Sequence, residues 1–78
     1  MKLKKIVLTG AAGRLGSYLR EPLSQMCEAL VSTDITDDLG KLHADETYVQ
    51  ADLASYDAIF PVMEGAEMVV HIGAIVYE

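Results

Sequence analysis

Three glycines at intervals of three residues, directly after a short apolar run, constrain this chain more than any other feature. The apolar run is IVL at positions 6–8, and it leads into TGAAGRLG at positions 9–16. Apolar residues then recur at helical spacing. A strand that passes through a glycine turn into a helix is the first half of a βαβ unit, in which the two strands are parallel. The motif therefore predicts an α/β fold.

The three glycines have different expected roles in such a turn. Gly10 permits a tight turn at the end of the strand, and Gly16 lets the helix lie close to the sheet. Gly13 leaves the backbone open to a phosphate group, because no side chain stands in the way. We therefore expect a pyrophosphate-binding turn, and a purely structural strand-to-helix turn is the alternative that the same glycines allow.

The residues between the glycines complete the expected phosphate site. Ala12, Arg14 and Leu15 lie at the start of the helix, where unpaired backbone N–H groups and the helix dipole favour an anion. The phosphate loop of nucleotide hydrolases ends in Gly-Lys-Ser/Thr, whereas this motif ends in Gly16-Ser17 without a lysine. Hydrolysis of a nucleoside triphosphate is therefore not expected.

An acid ends the second apolar run, eighteen residues beyond Gly16. In a dinucleotide-binding βαβ unit, an acid at about this distance accepts hydrogen bonds from the adenosine ribose hydroxyls. Asp34 is that acid, and the adjoining Ile35 is a further candidate contact. A carboxylate there repels a 2′-phosphate, so we expect NAD rather than NADP. Two alternatives stay open: Asp34 as a solvated strand end, and Arg14 as a partner for a 2′-phosphate.

Two later segments carry further candidate cofactor contacts. Asp52 follows the third predicted strand, where it can accept a hydrogen bond from the adenine amino group with Leu53 against the ring. A helix-entry acid is the alternative for Asp52. Gly73 and Ala74 follow the fourth predicted strand, where small residues let a dinucleotide pass close to the backbone.

The remaining pattern predicts four strands and two helices. Right-handed crossovers give a doubly wound parallel sheet of order 3-2-1-4 with flanking helices, which is a partial Rossmann fold. Leu15, Leu19, Leu23 and Met26 share one side of the first helix, so we expect them to face the sheet. The predicted strands cover 4–9, 29–33, 47–50 and 68–72, and the predicted helices cover 14–26 and 55–63, with Ser55 as the N-cap.

Cysteine and histidine positions argue against a metal site. The chain has one cysteine, Cys27, which excludes an internal disulfide and a four-cysteine metal site. We expect Cys27 to be a small packing residue. His43 and His71 are not at metal-ligand spacing, and we expect His71 to be a hydrogen-bonded core residue.

Composition narrows the partners and the context. The 78 residues carry a net charge of −6 without a strong basic cluster, which disfavours nucleic acid. No apolar run is long enough to span a membrane, and the lone cysteine fits the cytoplasm. Hydrophobic residues make up 51% of the chain, more than so small a sheet with two helices can cover. We therefore expect residues 1–78 either to be the N-terminal part of a larger NAD-binding domain, interrupted after strand four, or to need a partner.

Four segments together resemble extended short-chain dehydrogenases/reductases, the NAD-dependent epimerase/dehydratase family. They are the glycine turn at 9–16, STD at 32–34, ADL at 51–53 and VHIGA at 70–74. The resemblance covers essentially the whole chain. Within the family, the GAAG turn, the short second loop and HIGAIVYE at 71–78 are most similar to members that oxidise uronic acids.

The resemblance implies NAD as cofactor and a sugar-type substrate, a hexuronic acid oxidised to its aldarolactone. Nucleotide-sugar epimerases, dehydratases and reductases share the same first half and are one alternative. A stand-alone NAD-binding module without catalysis is another. The family's proton relay is a serine or threonine with Tyr-x-x-x-Lys, which is absent from this sequence. We therefore assign no catalytic residue to the chain, and we expect the parent enzyme to be a homo-oligomer.

Overall fold

The structure, a computed structural model, describes residues 2–52 and 54–72. Strands and helices alternate along the chain as the sequence pattern predicts, with bounds that differ by one or two residues. The strands are β1 (Leu3–Thr9), β2 (Cys27–Asp34), β3 (Glu46–Gln50) and β4 (Met68–His71), and the helices are α1 (Arg14–Ser24) and α2 (Tyr56–Met63).

All four strands are parallel and lie in the order β3-β2-β1-β4. This order confirms the predicted partial Rossmann fold. The chain moves outward from β1 to β3 and then returns across β1 to β4, so the direction of winding reverses between β1 and β4. Thr9 pairs with Thr33 on one side and with His71 on the other. The carboxyl ends of these three strands are therefore level where the glycine turn begins.

The packing of α1 corrects the predicted apolar stripe. Leu23 is buried against the sheet, but the side chain of Leu15 is 56% exposed and Met26 is also exposed. The rotation of the helix about its axis is set by Gly16, which is buried against the glycine turn, so that its neighbour Leu15 lies on the exposed side. Met26 lies beyond the helix, which ends at Ser24.

The core lies between α1 and the sheet. Cys27 is buried there, as expected for a packing residue. Side chains alternate between the two faces of a strand, so Val7 lies on the face opposite Ile6 and Leu8. A right-handed crossover from β3 to β4 places α2 on that opposite face. The core cluster consists of Ile6, Leu8, Ala11, Leu23, Cys27 and Leu30.

The connection between β2 and β3 contains no helix. It comprises the eleven residues 35–45, whereas parallel neighbours are ordinarily joined by a dozen or more residues that include a helix. We call this segment the 35–45 connection. Because no helix covers β3 here, side-chain hydrogen bonds hold the connection in place.

Candidate dinucleotide site

The glycine turn begins with a backbone conformation that favours glycine. Gly10 has φ 71°, in the left-handed region that side chains disfavour. This conformation lets the Gly10 carbonyl accept the Gly13 N–H at 3.1 Å. The Ala11 N–H meanwhile donates to the Thr33 carbonyl at 3.2 Å. The turn is therefore tied to the carboxyl end of β2.

Gly13 and Gly16 differ in how much room surrounds them. A Cβ atom on Gly16 would lie 2.1 Å from the Gly10 carbonyl oxygen and 2.9 Å from the Ala11 Cα atom. Both are backbone atoms that cannot give way, so the absence of a side chain is what lets α1 approach the turn. A Cβ atom on Gly13 would meet only the Gly10 oxygen, at 3.4 Å. The fold itself therefore has room for a methyl group at Gly13.

The start of α1 is open to an anion. Gly13 is the N-cap residue, and no side chain accepts a hydrogen bond from the helix there. The first turn also contains no acidic residue, so nothing in it neutralises the positive end of the helix dipole. Arg14 and Leu15 have exposed side chains at this end. These features fit a bound pyrophosphate.

The Asp34 carboxylate is oriented by the backbone on both sides. Its Oδ2 atom accepts the Ala12 N–H at 2.9 Å, and its Oδ1 atom accepts the Ile35 N–H at 2.7 Å. Each carboxylate oxygen can accept about two hydrogen bonds, so each retains acceptor capacity. Asp34 therefore stands beside the glycine turn as a fixed acceptor, as a ribose-binding acid requires.

The other sequence-predicted residues lie around the same edge or outside the described residues. Asp52 begins the turn into α2, because its Oδ1 atom accepts the Ala54 N–H at 2.9 Å and its carbonyl accepts the Ser55 N–H at 2.8 Å. This is the helix-entry geometry considered above, and it leaves the adenine contact untested. Ser55 occupies the N-cap position without a side-chain capping bond. Leu53, Gly73 and Ala74 are outside the described residues.

His71 lies at the end of β4, beside the glycine turn. Its Nδ1 atom is 2.9 Å from the Thr9 hydroxyl oxygen, so the expected hydrogen bond is present. The residue is exposed rather than buried, and the expectation of a core histidine was wrong in that respect. The reason is that β4 is the outermost strand on its side of the described sheet.

Sequence reasoning missed a buried ion pair that anchors the far end of the 35–45 connection. The Arg20 guanidinium donates from Nε to Glu46 Oε2 at 2.7 Å and from Nη2 to Oε1 at 2.9 Å. Nη2 also donates to the Lys41 carbonyl. Ser32 Oγ and the His43 N–H donate to the same carboxylate. No sequence motif signals a pair twenty-six positions apart.

The environment of Glu46 shifts its pKa in two directions. Burial raises the pKa of the carboxyl group, because the charged form loses its hydration. Hydrogen bonds from Arg20, His43 and Ser32 lower it by more, so the pKa lies below its ordinary value. The hydrogen-bonded partners of Glu46 therefore hold it in the ionised form.

The described residues offer neither a metal-binding cluster nor a membrane-spanning helix. No group of three or more histidine, cysteine or acidic side chains is arranged to hold a metal ion. No helix in ranges 2–52 and 54–72 combines the length and the apolar character needed to cross a membrane.

Comparison with known proteins links the chain to one group of enzymes. It is 35% identical over 71 residues to a uronate dehydrogenase of Pseudomonas putida, which covers 91% of the chain and 26% of that protein. It is 38% identical over 76 residues to a uronate dehydrogenase of Agrobacterium fabrum, which covers 97% of the chain and 28% of that protein. The chain thus spans about a quarter of the length of these curated relatives. No family model matches it.

Solved structures with a similar fold include uronate dehydrogenases as well. The fold matches a mutant uronate dehydrogenase of Agrobacterium tumefaciens complexed with NAD, with a TM-score of 0.87 and 38% identity over 97% of this chain and 28% of that chain. It also matches the Bordetella bronchiseptica enzyme WbmH in complex with NAD⁺, with a TM-score of 0.78 and 26% identity over 97% of this chain and 27% of that one. These matches confirm the resemblance drawn from the sequence.

Proposed function

We propose that this chain is the NAD-binding N-terminal part of an oxidoreductase that resembles uronate dehydrogenases. The reaction proposed for the whole enzyme is oxidation of a hexuronic acid at its C1 hydroxyl carbon, which gives the aldarolactone. One observation carries the NAD-binding role: an uncapped helix start stands beside an acid whose two oxygens are held by Ala12 and Ile35. The chain spans only about a quarter of the length of its relatives. The substrate is therefore proposed from the chain's similarity to uronate dehydrogenases.

The chain's own residues would bind and orient the cofactor. The first-turn N–H groups at Arg14 and Leu15 bind the pyrophosphate, and Gly13 lets it approach the backbone. Asp34 accepts hydrogen bonds from the adenosine ribose hydroxyls, and its negative charge repels a 2′-phosphate. NAD, when bound, accepts a hydride from the substrate carbon.

The adenine end of the proposed site extends to residues beyond the turn. Ile35 supplies an apolar surface. Asp52 accepts a hydrogen bond from the adenine amino group, and Leu53 lies against the adenine ring. Gly73 and Ala74 let the dinucleotide cross the end of β4. Residues 1–78 are proposed to form one part of a single NAD-binding domain.

An alternative function shares the cofactor role and differs in substrate. A nucleotide-sugar epimerase, dehydratase or reductase is the second candidate, because the sequence resemblance extends to the whole NAD-dependent epimerase/dehydratase family. A non-catalytic NAD-binding module, which shares the same cofactor role, is the third. Activity of the chain with NAD and galacturonate or glucuronate would contradict this third candidate.

The proposed context rests on the family resemblance of the sequence and on its lone cysteine. We infer a sugar-type substrate, a homo-oligomeric parent enzyme and a cytoplasmic location. The acidic charge of −6 supports the absence of nucleic acid as a partner.

Calorimetric titration of the chain with NAD and with NADP tests the cofactor role. We expect NAD to bind more tightly than NADP. Asp34→Asn removes the charge while keeping the shape, so NAD affinity should fall by about tenfold or more, the size of a hydrogen bond to a charged group. NADP affinity should be unchanged or higher. Asp45→Asn makes the same charge change at the amino-terminal edge of β3 and should leave both affinities unchanged. A folded chain that binds neither dinucleotide at millimolar concentration would contradict the proposal.

A further inference from the structure

Two side chains of β3, which no cofactor motif includes, form hydrogen bonds to the backbone of Asp34 and Ile35. Tyr48 and Gln50 are two positions apart and therefore project from the same face of the strand. Both reach across to the segment that follows β2. Together they contact every residue from Asp34 to Asp37.

Tyr48 fixes the backbone that carries the Asp34 carboxylate. Its hydroxyl group is 3.0 Å from the Asp34 carbonyl oxygen and 2.6 Å from the Thr36 carbonyl oxygen, and it donates toward both. The Ala51 N–H donates to the same Asp34 carbonyl at 2.9 Å. The carboxylate of Asp34 is held from above by Ala12. Its main chain and side chain are therefore both fixed.

Gln50 fixes Ile35 in an exposed position. One amide nitrogen, Nε2, donates to the Ile35 carbonyl at 3.0 Å and to Asp37 Oδ1 at 3.0 Å. The Ile35 N–H is bound by Asp34 Oδ1. Both backbone groups of Ile35 are thus engaged, while its side chain is 64% exposed. An exposed apolar side chain whose backbone is fixed in this way can pack against the face of a flat ring such as adenine.

We propose that Tyr48 and Gln50 are positioning residues for the adenosine half of the cofactor. They hold the Asp34–Ile35 corner in the conformation that accepts the ribose hydroxyls and rejects a 2′-phosphate. These hydrogen bonds are needed because the 35–45 connection contains no helix that could pack against the corner. The inference rests on the proposed NAD-binding function.

The test compares two tyrosine variants in the same titrations. Tyr48→Phe removes only the hydroxyl group that holds the corner, whereas Tyr18→Phe removes a hydroxyl group from an exposed position on α1. We expect Tyr48→Phe to weaken NAD binding by about threefold to tenfold, the size of one neutral hydrogen bond. NADP binding should weaken less, because a loosened Asp34 opposes the 2′-phosphate less well. The ratio of the two affinities should fall, and Tyr18→Phe should leave it unchanged.

Gln50→Leu provides a second and independent measurement. It removes the hydrogen bonds to the Ile35 carbonyl and to the Asp37 carboxylate at once, so the same fall in the NAD/NADP affinity ratio is expected. Equal weakening of both dinucleotides would indicate a general structural role and overturn the inference. Unchanged binding in both variants would also overturn it, while leaving the proposed function intact. A wild-type chain that does not bind NAD would instead contradict the proposed function.

Discussion

At the scale of single residues, Gly13 and Gly16 offer a comparison between a glycine kept for the fold and one kept for a ligand. The two are matched, since both lie in the same turn and both would direct a Cβ atom toward the Gly10 carbonyl oxygen. The clearances are 3.4 Å and 2.1 Å. Only the second is incompatible with the backbone as it stands.

This difference predicts opposite effects for the two alanine variants. Gly16→Ala should lower the free energy of unfolding by about 1–3 kcal/mol or more, because backbone must move to admit the methyl group. Gly13→Ala should change it by less than about 1 kcal/mol and yet weaken NAD binding at least tenfold. Urea denaturation and calorimetric titration measure the two effects. Full NAD affinity in folded Gly13→Ala would mean that Gly13 serves only the turn.

Sequence reasoning succeeded at the residues whose roles are local. The φ of Gly10 and the tight packing at Gly16 follow from the spacing of the motif alone. The exposure of Leu15 could not be predicted in this way. Apolar periodicity shows which residues share one side of the helix, but it does not fix how the helix is rotated about its axis relative to the sheet. That rotation is set by the contact of Gly16 with the turn, which a hydropathy pattern does not contain.

At the scale of elements, the Arg20–Glu46 pair joins α1 to the start of β3. Both side chains are almost completely buried. Removal of one partner leaves the other charged, buried and unpaired, which ordinarily costs about 3–5 kcal/mol. The pair also satisfies the Lys41 carbonyl and the His43 N–H, so it organises the end of the 35–45 connection.

A double-mutant cycle should reveal this coupling. We expect Arg20→Met and Glu46→Gln each to destabilise the chain by about 3 kcal/mol, and the double variant to lose less than the sum by about 1–3 kcal/mol. Arg14→Met removes an exposed arginine from the same helix and should change the free energy of unfolding by less than about 0.5 kcal/mol. Additive effects in the cycle would show that the two side chains are not energetically coupled.

Acid should weaken the same contact. The pKa of Glu46 is lower in the folded chain than in the unfolded chain, so the folded state binds that proton less readily. Its contribution to stability is complete above the unfolded-state pKa, about 4.3, and is lost as the pH falls through the folded-state value. Urea denaturation between pH 7 and pH 3 should show a smaller loss of stability in Glu46→Gln than in Glu21→Gln, which removes an exposed acid. Equal losses would contradict the assignment.

The support of the 35–45 connection was not predictable from the sequence. The strand order followed from crossover rules that apply to any βαβ unit, and the structure confirms it. Tyr48 and Gln50, however, read as ordinary residues of a short strand. Their role appears only when β3 is placed beside β2, in a register that pairs Asp34 with Gln50.

At the scale of the whole molecule, apolar side chains remain exposed on the face opposite α1. Val69 of β4 is 45% exposed and pairs with the buried Val7 of β1. Tyr56 and Phe60 of α2 are exposed with their ring centroids 5.5 Å apart. In the described sheet, β4 also has one outer edge without a neighbouring strand. Such edges and patches favour association.

We therefore expect the 78-residue chain to self-associate in solution. Val69→Lys places a charge on the exposed face beside the free edge, and it should lower the apparent mass at a given concentration. Leu42→Lys makes the same type of change in the 35–45 connection, where the side chain is 39% exposed, and should have no such effect. Sedimentation velocity over a range of concentrations measures both. A monomeric wild-type chain at high concentration would contradict the expectation.

The single oxygen atom that both Gly13 and Gly16 approach has a consequence for how this motif can change over evolution. Gly13 is the extended N-cap residue of α1 and Gly16 lies in the first turn of that helix, so the number of residues between them sets which helix position meets the Gly10 oxygen. Insertion of one residue between these glycines would rotate the helix by about 100° and present a side chain to the Gly10 oxygen. A change of length within the motif is therefore incompatible with this turn, whereas the side chains of the intervening residues, Arg14 and Leu15, are exposed.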